Sequence, residues 1–137
     1  MADWDDVRRI ALALPDTEEG TTHGQQTAWR VNGKPFVVQR PLRARDRDEL
    51  GDRAPDGPIL GARVESLAAK EALLGDDPTT YFTTSHFDGY PMILCRLDRI
   101  GDEELQELIV EAWLSKAPKR LALEYLQTHE LDGRDGV

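Results

Sequence analysis

The spacing of apolar residues divides the chain into helical and extended segments. Trp4, Val7, Ile10, Ala11 and Leu14 recur every three to four positions, the period of one helix face, and predict an opening helix. Asp3 precedes it as an N-cap, Asp5 and Asp6 sit where the helix dipole favours acid, and Pro15 stops it. Residues 16–24 read as a polar, turn-rich connection. The period then drops to two. Residues 27–31 and 34–38 flank Asn32-Gly33, a pair that suits a two-residue type I′ hairpin because both central positions need positive φ. That turn sets Val31 opposite Lys34, Trp29 opposite Phe36 and Thr27 opposite Val38. Trp29, Val31, Phe36 and Val38 then share the core face, and Ala28, Arg30, Pro35 and Val37 share the other.

Residues 43–58 mix arginines and acids with Gly51, Pro55, Gly57 and Pro58, and predict a surface loop. Residues 59–64 read as a third strand. Ser66 is the expected N-cap of a helix carrying Leu67, Ala68, Glu71 and Leu74 and closed by Gly75. Residues 81–84 and 92–97 predict two more strands, joined through a connection in which Asp88-Gly89 signals a tight turn. Asp102 is the expected cap of the strongest helix, with Leu105, Leu108, Ile109, Ala112 and Trp113 as its apolar stripe. Pro118 breaks it and starts a last helix carrying Leu121, Ala122, Tyr125 and Leu126. The expected fold is a two-layer α+β sandwich, a largely antiparallel five-stranded sheet with helices over its apolar face. A single domain over residues 1–130 is expected, with 131–137 as a frayed tail.

Composition narrows the function. Of 137 residues, 39% are hydrophobic and 31% charged, and no run approaches the ~18 apolar residues of a membrane span. The acidic N-terminal stretch lacks the basic-then-apolar pattern of a secretory signal, and Cys95 is the sole cysteine, so a cytoplasmic location is expected. The net charge is −9, yet residues 23–47 hold Arg30, Lys34, Arg40, Arg43, Arg45 and Arg47 against Asp46 alone. Acid concentrates instead at Asp102, Glu103, Glu104, Glu107 and Glu111. In an extended arm Arg43, Arg45 and Arg47 would point the same way and could meet phosphates. The competing fate for these arginines is pairing with Asp46, Asp48, Glu49 and Asp52, or with the acidic helix.

Catalysis is not expected. Cys95 lies among Met92, Ile93, Leu94 and Leu97 and reads as a small buried hydrophobe rather than a nucleophile. No glycine-rich phosphate cradle is spelled out, and His23, His86 and Asp88 fall short of a recognisable zinc set, so no metal or cofactor is expected. His86, Asp88 and Tyr90 organise a turn or, with His23, line a pocket.

The assembled pattern resembles the MmcQ/YjbR-like family of small bacterial proteins. The likeness is carried by the helix-then-Leu14-Pro15 opening, the segment from Trp29 to Phe36, Arg40-Pro41-Leu42, the strand at 59–64, His86-Phe87-Asp88-Gly89-Tyr90-Pro91, and the stretch from Ala112 to Arg120. It covers about residues 3–128. The resemblance implies an α-β(3)-α-β(2)-α order, a fold similar to secretion chaperones, and DNA binding through a double-wing arrangement. DNA binding would place Arg30, Lys34, Arg40, Arg43, Arg45 and Arg47 on phosphates, with the hairpin as a wing. The alternative is a peptide- or protein-binding adaptor that uses an exposed sheet face or edge, centred on Ala28, Pro35 and Val37.

Overall fold

The structure, a computed structural model, describes residues 2–22 and 24–135, with side chains through residue 129. Helix α1 (Trp4–Leu12) opens the chain. Its start is a reciprocal capping box in which the Asp6 N–H donates to Asp3 Oδ1 and the Asp3 N–H donates to Asp6 Oδ2, both at 3.0 Å. The polar segment that follows is a strand, β1 (Thr17–Thr21), where a connection was expected. With no apolar residue it has no alternation to read. It exists because it pairs with β2 (Thr27–Val31), and Trp29 Nε1–H donates to Glu19 Oε1 at 3.0 Å.

The hairpin between β2 and β3 (Lys34–Gln39) turns as expected, with φ of 51° at Asn32 and 76° at Gly33. Val31 faces Lys34, but a bulge then shifts the register, so that Trp29 faces Val37 and Ala28 faces Val38. Phe36 is the extra residue. The bulge lets both Phe36 and Val37 enter the main core, which strict alternation would forbid. Ala28 and Val37 are therefore fully buried and of the expected adaptor patch Pro35 alone stays exposed.

The segment at 43–58 is not a plain loop. It contains α2 (Ala44–Leu50) and a single 3₁₀ turn at Gly51–Arg53. The helix has no apolar stripe and is held by tertiary contacts described below. Strand β4 (Ile59–Arg63), α3 (Leu67–Asp76), β5 (Tyr81–Phe82), a 3₁₀ turn at Ser85–Phe87, and β6 (Met92–Arg96) follow. Ser66 caps α3, its Oγ accepting the Ala69 N–H at 3.1 Å. Helix α4 (Asp102–Lys116) is capped by Gly101 rather than Asp102. Asp102 is instead the first helical residue, where its charge suits the dipole. Helix α5 (Lys119–Asp135) closes the fold, and residues 136–137 of the expected tail lie outside the described residues.

The sheet is antiparallel with the order β1-β2-β3-β4-β6-β5, six strands where five were expected, β1 being the addition. Helices α1 and α4 cover one face. Trp29, Phe36, Leu60, Ile93, Ile109 and Trp113 fill the core between them. Trp113 Nε1–H donates to Pro15 O at 3.1 Å and so ties α4 to the end of α1. On the opposite face Leu50, Ile59, Phe82, Phe87 and Leu94 form a second, smaller core beneath α2 and the 85–87 turn. No helix among the described residues is long and apolar enough to cross a membrane.

Candidate anion-binding cleft

Strand parity decides what reaches the second face. In β4, Leu60 and Ala62 enter the main core, so Ile59, Gly61 and Arg63 face the other way; in β6, Met92, Leu94 and Arg96 do the same. This face therefore carries arginines beside the aromatics that its small core exposes at the edges. Arg40 lies 5.2 Å from the Phe87 ring centre, Arg63 4.6 Å from Tyr90, and Arg96 4.5 Å from Phe82. Such contacts anchor guanidinium groups that water would otherwise leave free.

Two devices hold the His86–Pro91 segment in place. Gly89 has φ of 72° after Asp88 at −58°, 130°, and the Tyr90 N–H donates to Phe87 O at 3.0 Å, which makes a type II turn that requires glycine third. Lys70, 5% exposed on α3, then donates from Nζ to Phe87 O at 2.7 Å and Tyr90 O at 3.0 Å. Burial lowers the Lys70 ammonium below the usual lysine range, with the Asp88 carboxylate opposing. Phe87, so fixed, plugs the second core, while His86 stays exposed with its ring edge-on to it at 4.9 Å.

Helix α2 docks against this turn. Glu49 accepts hydrogen bonds from the Ser85 backbone N–H (2.9 Å) and from Ser85 Oγ. Asp46, 5% exposed, accepts from the Arg43 N–H at 3.0 Å and pairs with Arg40 Nη2 at 3.4 Å. Burial lowers the Arg40 guanidinium from its ordinary range, and Asp46 works against that shift. Leu50 completes the anchoring by entering the second core.

Between α2 and the turn lies a cleft of about 510 Å³ lined by Arg40, Arg43, Arg45, Asp46, Ser85 and His86. It joins two groups that the sequence kept apart, the arginine arm and the His86 turn. Asp46 is already engaged by Arg40 and the Arg43 amide. Arg43 and Arg45 are exposed and have no carboxylate within ion-pair distance among the described residues. Glu49 also borders a second recess, of about 600 Å³, which holds Arg53, Arg96 and Arg99. There Arg96 donates to the carbonyls of Pro78, Thr79 and Arg53, and its two neighbouring arginines help depress its pKa beyond the effect of burial.

The other expected contact residues go elsewhere. Because α2 is a helix, successive odd positions lie on different sides, and Arg47 turns away to Asp56 at 3.6 Å. Arg30 lies across Gly20 and donates to Thr21 O at 3.2 Å. Lys34 stands at the hairpin tip, where it and Arg63 add to the burial that lowers the Lys116 pKa. Asp88 and Tyr90 belong to the Lys70-held turn, and His23 lies outside the described residues. Arg53, Arg96 and Arg99 were not singled out from the sequence. The parity of β6 is the one signal that points to Arg96. Among the described residues no three His, Cys, Asp or Glu side chains are grouped to hold a metal ion. Cys95 is buried, and burial pushes its thiol up to about 12.

The chain is similar to known proteins both in sequence and in fold. An uncharacterised protein of Mycobacterium bovis and another of Mycobacterium tuberculosis are each 49% identical over 129 residues, 92% of this chain and 97% of theirs. A crystal structure of a Deinococcus radiodurans protein with the DUF419 domain superposes with a TM-score of 0.63 at 19% identity, over 83% of this chain and 78% of that one. The YjbR family model matches residues 12–115, and the chain belongs to the YjbR family.

Proposed function

We propose that the α2 cleft binds phosphate and that the protein is a non-catalytic DNA-binding protein, with backbone phosphate as the ligand. The observation that carries this reading is the convergence of Arg40, Arg43, Arg45 and His86 on one cleft in which two guanidinium groups lack a carboxylate partner among the described residues. Guanidinium donors in a fork match phosphate oxygens two at a time. The second recess, with Arg53, Arg96 and Arg99, supplies a further cationic stop on the other side of Glu49, as a polyanion tracking across this face needs. Family resemblance points the same way. The buried Cys95 thiol and the engagement of Ser85 Oγ with Glu49 favour binding without covalent chemistry.

With a net charge of −9, attraction at a distance is weak, so contact must come from the local patch within a Debye length of about 8 Å. Fluorescence anisotropy with a labelled mixed-sequence duplex at low salt tests the reading. The expected result is a log–log salt slope of about −0.9 per phosphate engaged, made shallower by one to two phosphates in Arg43→Ala/Arg45→Ala. No binding at micromolar protein, or binding untouched by that double variant, overturns it. If a nucleoside monophosphate raises the melting temperature while the duplex does not bind, the cleft is a small phosphate-ester site and the DNA reading fails.

A further inference from the structure

We propose that the groove between α3 and α4, on the helical layer, docks a basic amphipathic helix of a partner protein. The inference is independent of the phosphate cleft. Helix α3 has the sequence of a core helix, Leu-Ala-Ala-Lys-Glu-Ala-Leu-Leu, yet its one buried residue is Lys70, and Leu67 is 48% exposed. Ala69, Ala72 and Leu73 of α3 and Leu108 of α4 wall a groove of about 300 Å³ floored by Tyr81. That volume, at the small end of ligand sites, accepts one or two aliphatic side chains.

Charge complementarity names the occupant. Glu104, Glu107 and Glu111 line the α4 side and Glu65 stands across from them. All four are exposed, and none lies within ion-pair distance of a cation among the described residues. Glu104 is partly used, as it accepts the Tyr81 hydroxyl at 2.9 Å. The dipole of α4 accounts for acid in its first turn, at Asp102, Glu103 and Glu104, but not for Glu107 and Glu111, which lie beyond it. The carboxylates at i, i+3 and i+7 span two turns, about 10 Å. A helix bearing Lys or Arg at matching intervals beside Leu anchors would satisfy both the acids and the apolar wall, which is helix-in-groove recognition with charged flanks.

The test is anisotropy with a labelled Leu/Lys amphipathic peptide of about 18 residues, long enough to form a helix once docked. Glu107→Lys/Glu111→Lys should weaken binding at least about tenfold. Glu18→Lys/Glu124→Lys, which changes net charge equally at exposed sites away from the groove, should leave it within about twofold. A peptide of the same composition scrambled to remove the apolar face should bind several-fold more weakly. Equal loss in both charge variants, or equal binding of the scrambled peptide, would reduce the groove to general acidity and overturn the proposal. Hexylamine binding as tightly as the peptide would also overturn it, making the groove a site for small apolar amines.

Discussion

The two faces of the sheet are built on different principles. The helix-covered face buries one large apolar cluster, drawn from α1, α4 and the strands, and its polar atoms serve as ties, such as Trp113 to Pro15 and Trp29 to Glu19. The opposite face buries five apolar side chains and is finished with charged groups: Arg40 on Asp46, Glu49 on Ser85, Lys70 on two carbonyls. Apolar burial is non-directional and tolerates wide sequence variation, whereas charge-assisted contacts are directional and leave guanidinium groups presented outward. Stability therefore resides mainly on one face and candidate chemistry on the other.

Trp113→Ala should be the harshest break of that division. It removes a fully buried side chain and its hydrogen bond, at a cost of about 3–5 kcal/mol. Urea denaturation would show a collapse of the midpoint, and a variant of near-native stability would mean the division is wrong. Lys70→Met should cost less, about 1–2 kcal/mol, since it strands the carbonyls of Phe87 and Tyr90 while relieving a buried ammonium. Its distinctive signature is faster amide exchange confined to residues 85–91 and the facing end of α2. Uniform acceleration across the sheet would show that the turn is not a separate unit.

A pH series sharpens the comparison from within the main core. The Cys95 thiol ionises at 9.0 when unperturbed and at about 12 in the fold, because burial disfavours the thiolate. Between those values the unfolded chain holds fewer protons than the native one, so stability falls as pH rises above about 9 and the thiol has no effect below. Tyr81, also raised by burial and by Glu104, adds a loss of the same sign. Cys95→Ala should flatten the fall between pH 9 and 11 in urea midpoints; an unchanged fall would assign it elsewhere. The smallest effect on stability, within about 0.5 kcal/mol, is expected for Arg43→Ala/Arg45→Ala, because both side chains are exposed and lack ion partners among the described residues. A larger loss of melting temperature would show that these arginines hold α2 rather than await a ligand.

Most of the main-core face was legible in the sequence. The stripes at Trp4–Leu14 and Leu105–Trp113, the Asn32-Gly33 turn and the Ser66 cap carry their physical reasons locally, as periodicity, φ preference and an orphan N–H. The departures share one cause. β1 has no apolar residue, α2 has no apolar stripe, and the bulge at Phe36 breaks strict alternation, so each is decided by a neighbour distant in sequence. The candidate cleft was half legible. Arg40, Arg43, Arg45 and His86 were each singled out, but not as one group. Arg30, Lys34 and Arg47, read as equals of the others, went to separate places.

What the sequence determined by itself was most of the alternation of helices and strands, most of the main core and the resemblance to the YjbR family. Those follow from local preferences and from apolar patterning, which act over a few residues at a time. The tertiary structure alone decided which arginines converge. It did so because Asp46, Glu49 and Lys70 fold a polar helix and a turn thirty-six residues apart against one another, through Glu49 and Ser85. Directional contacts of that kind depend on positions in space, and no period in the chain encodes them.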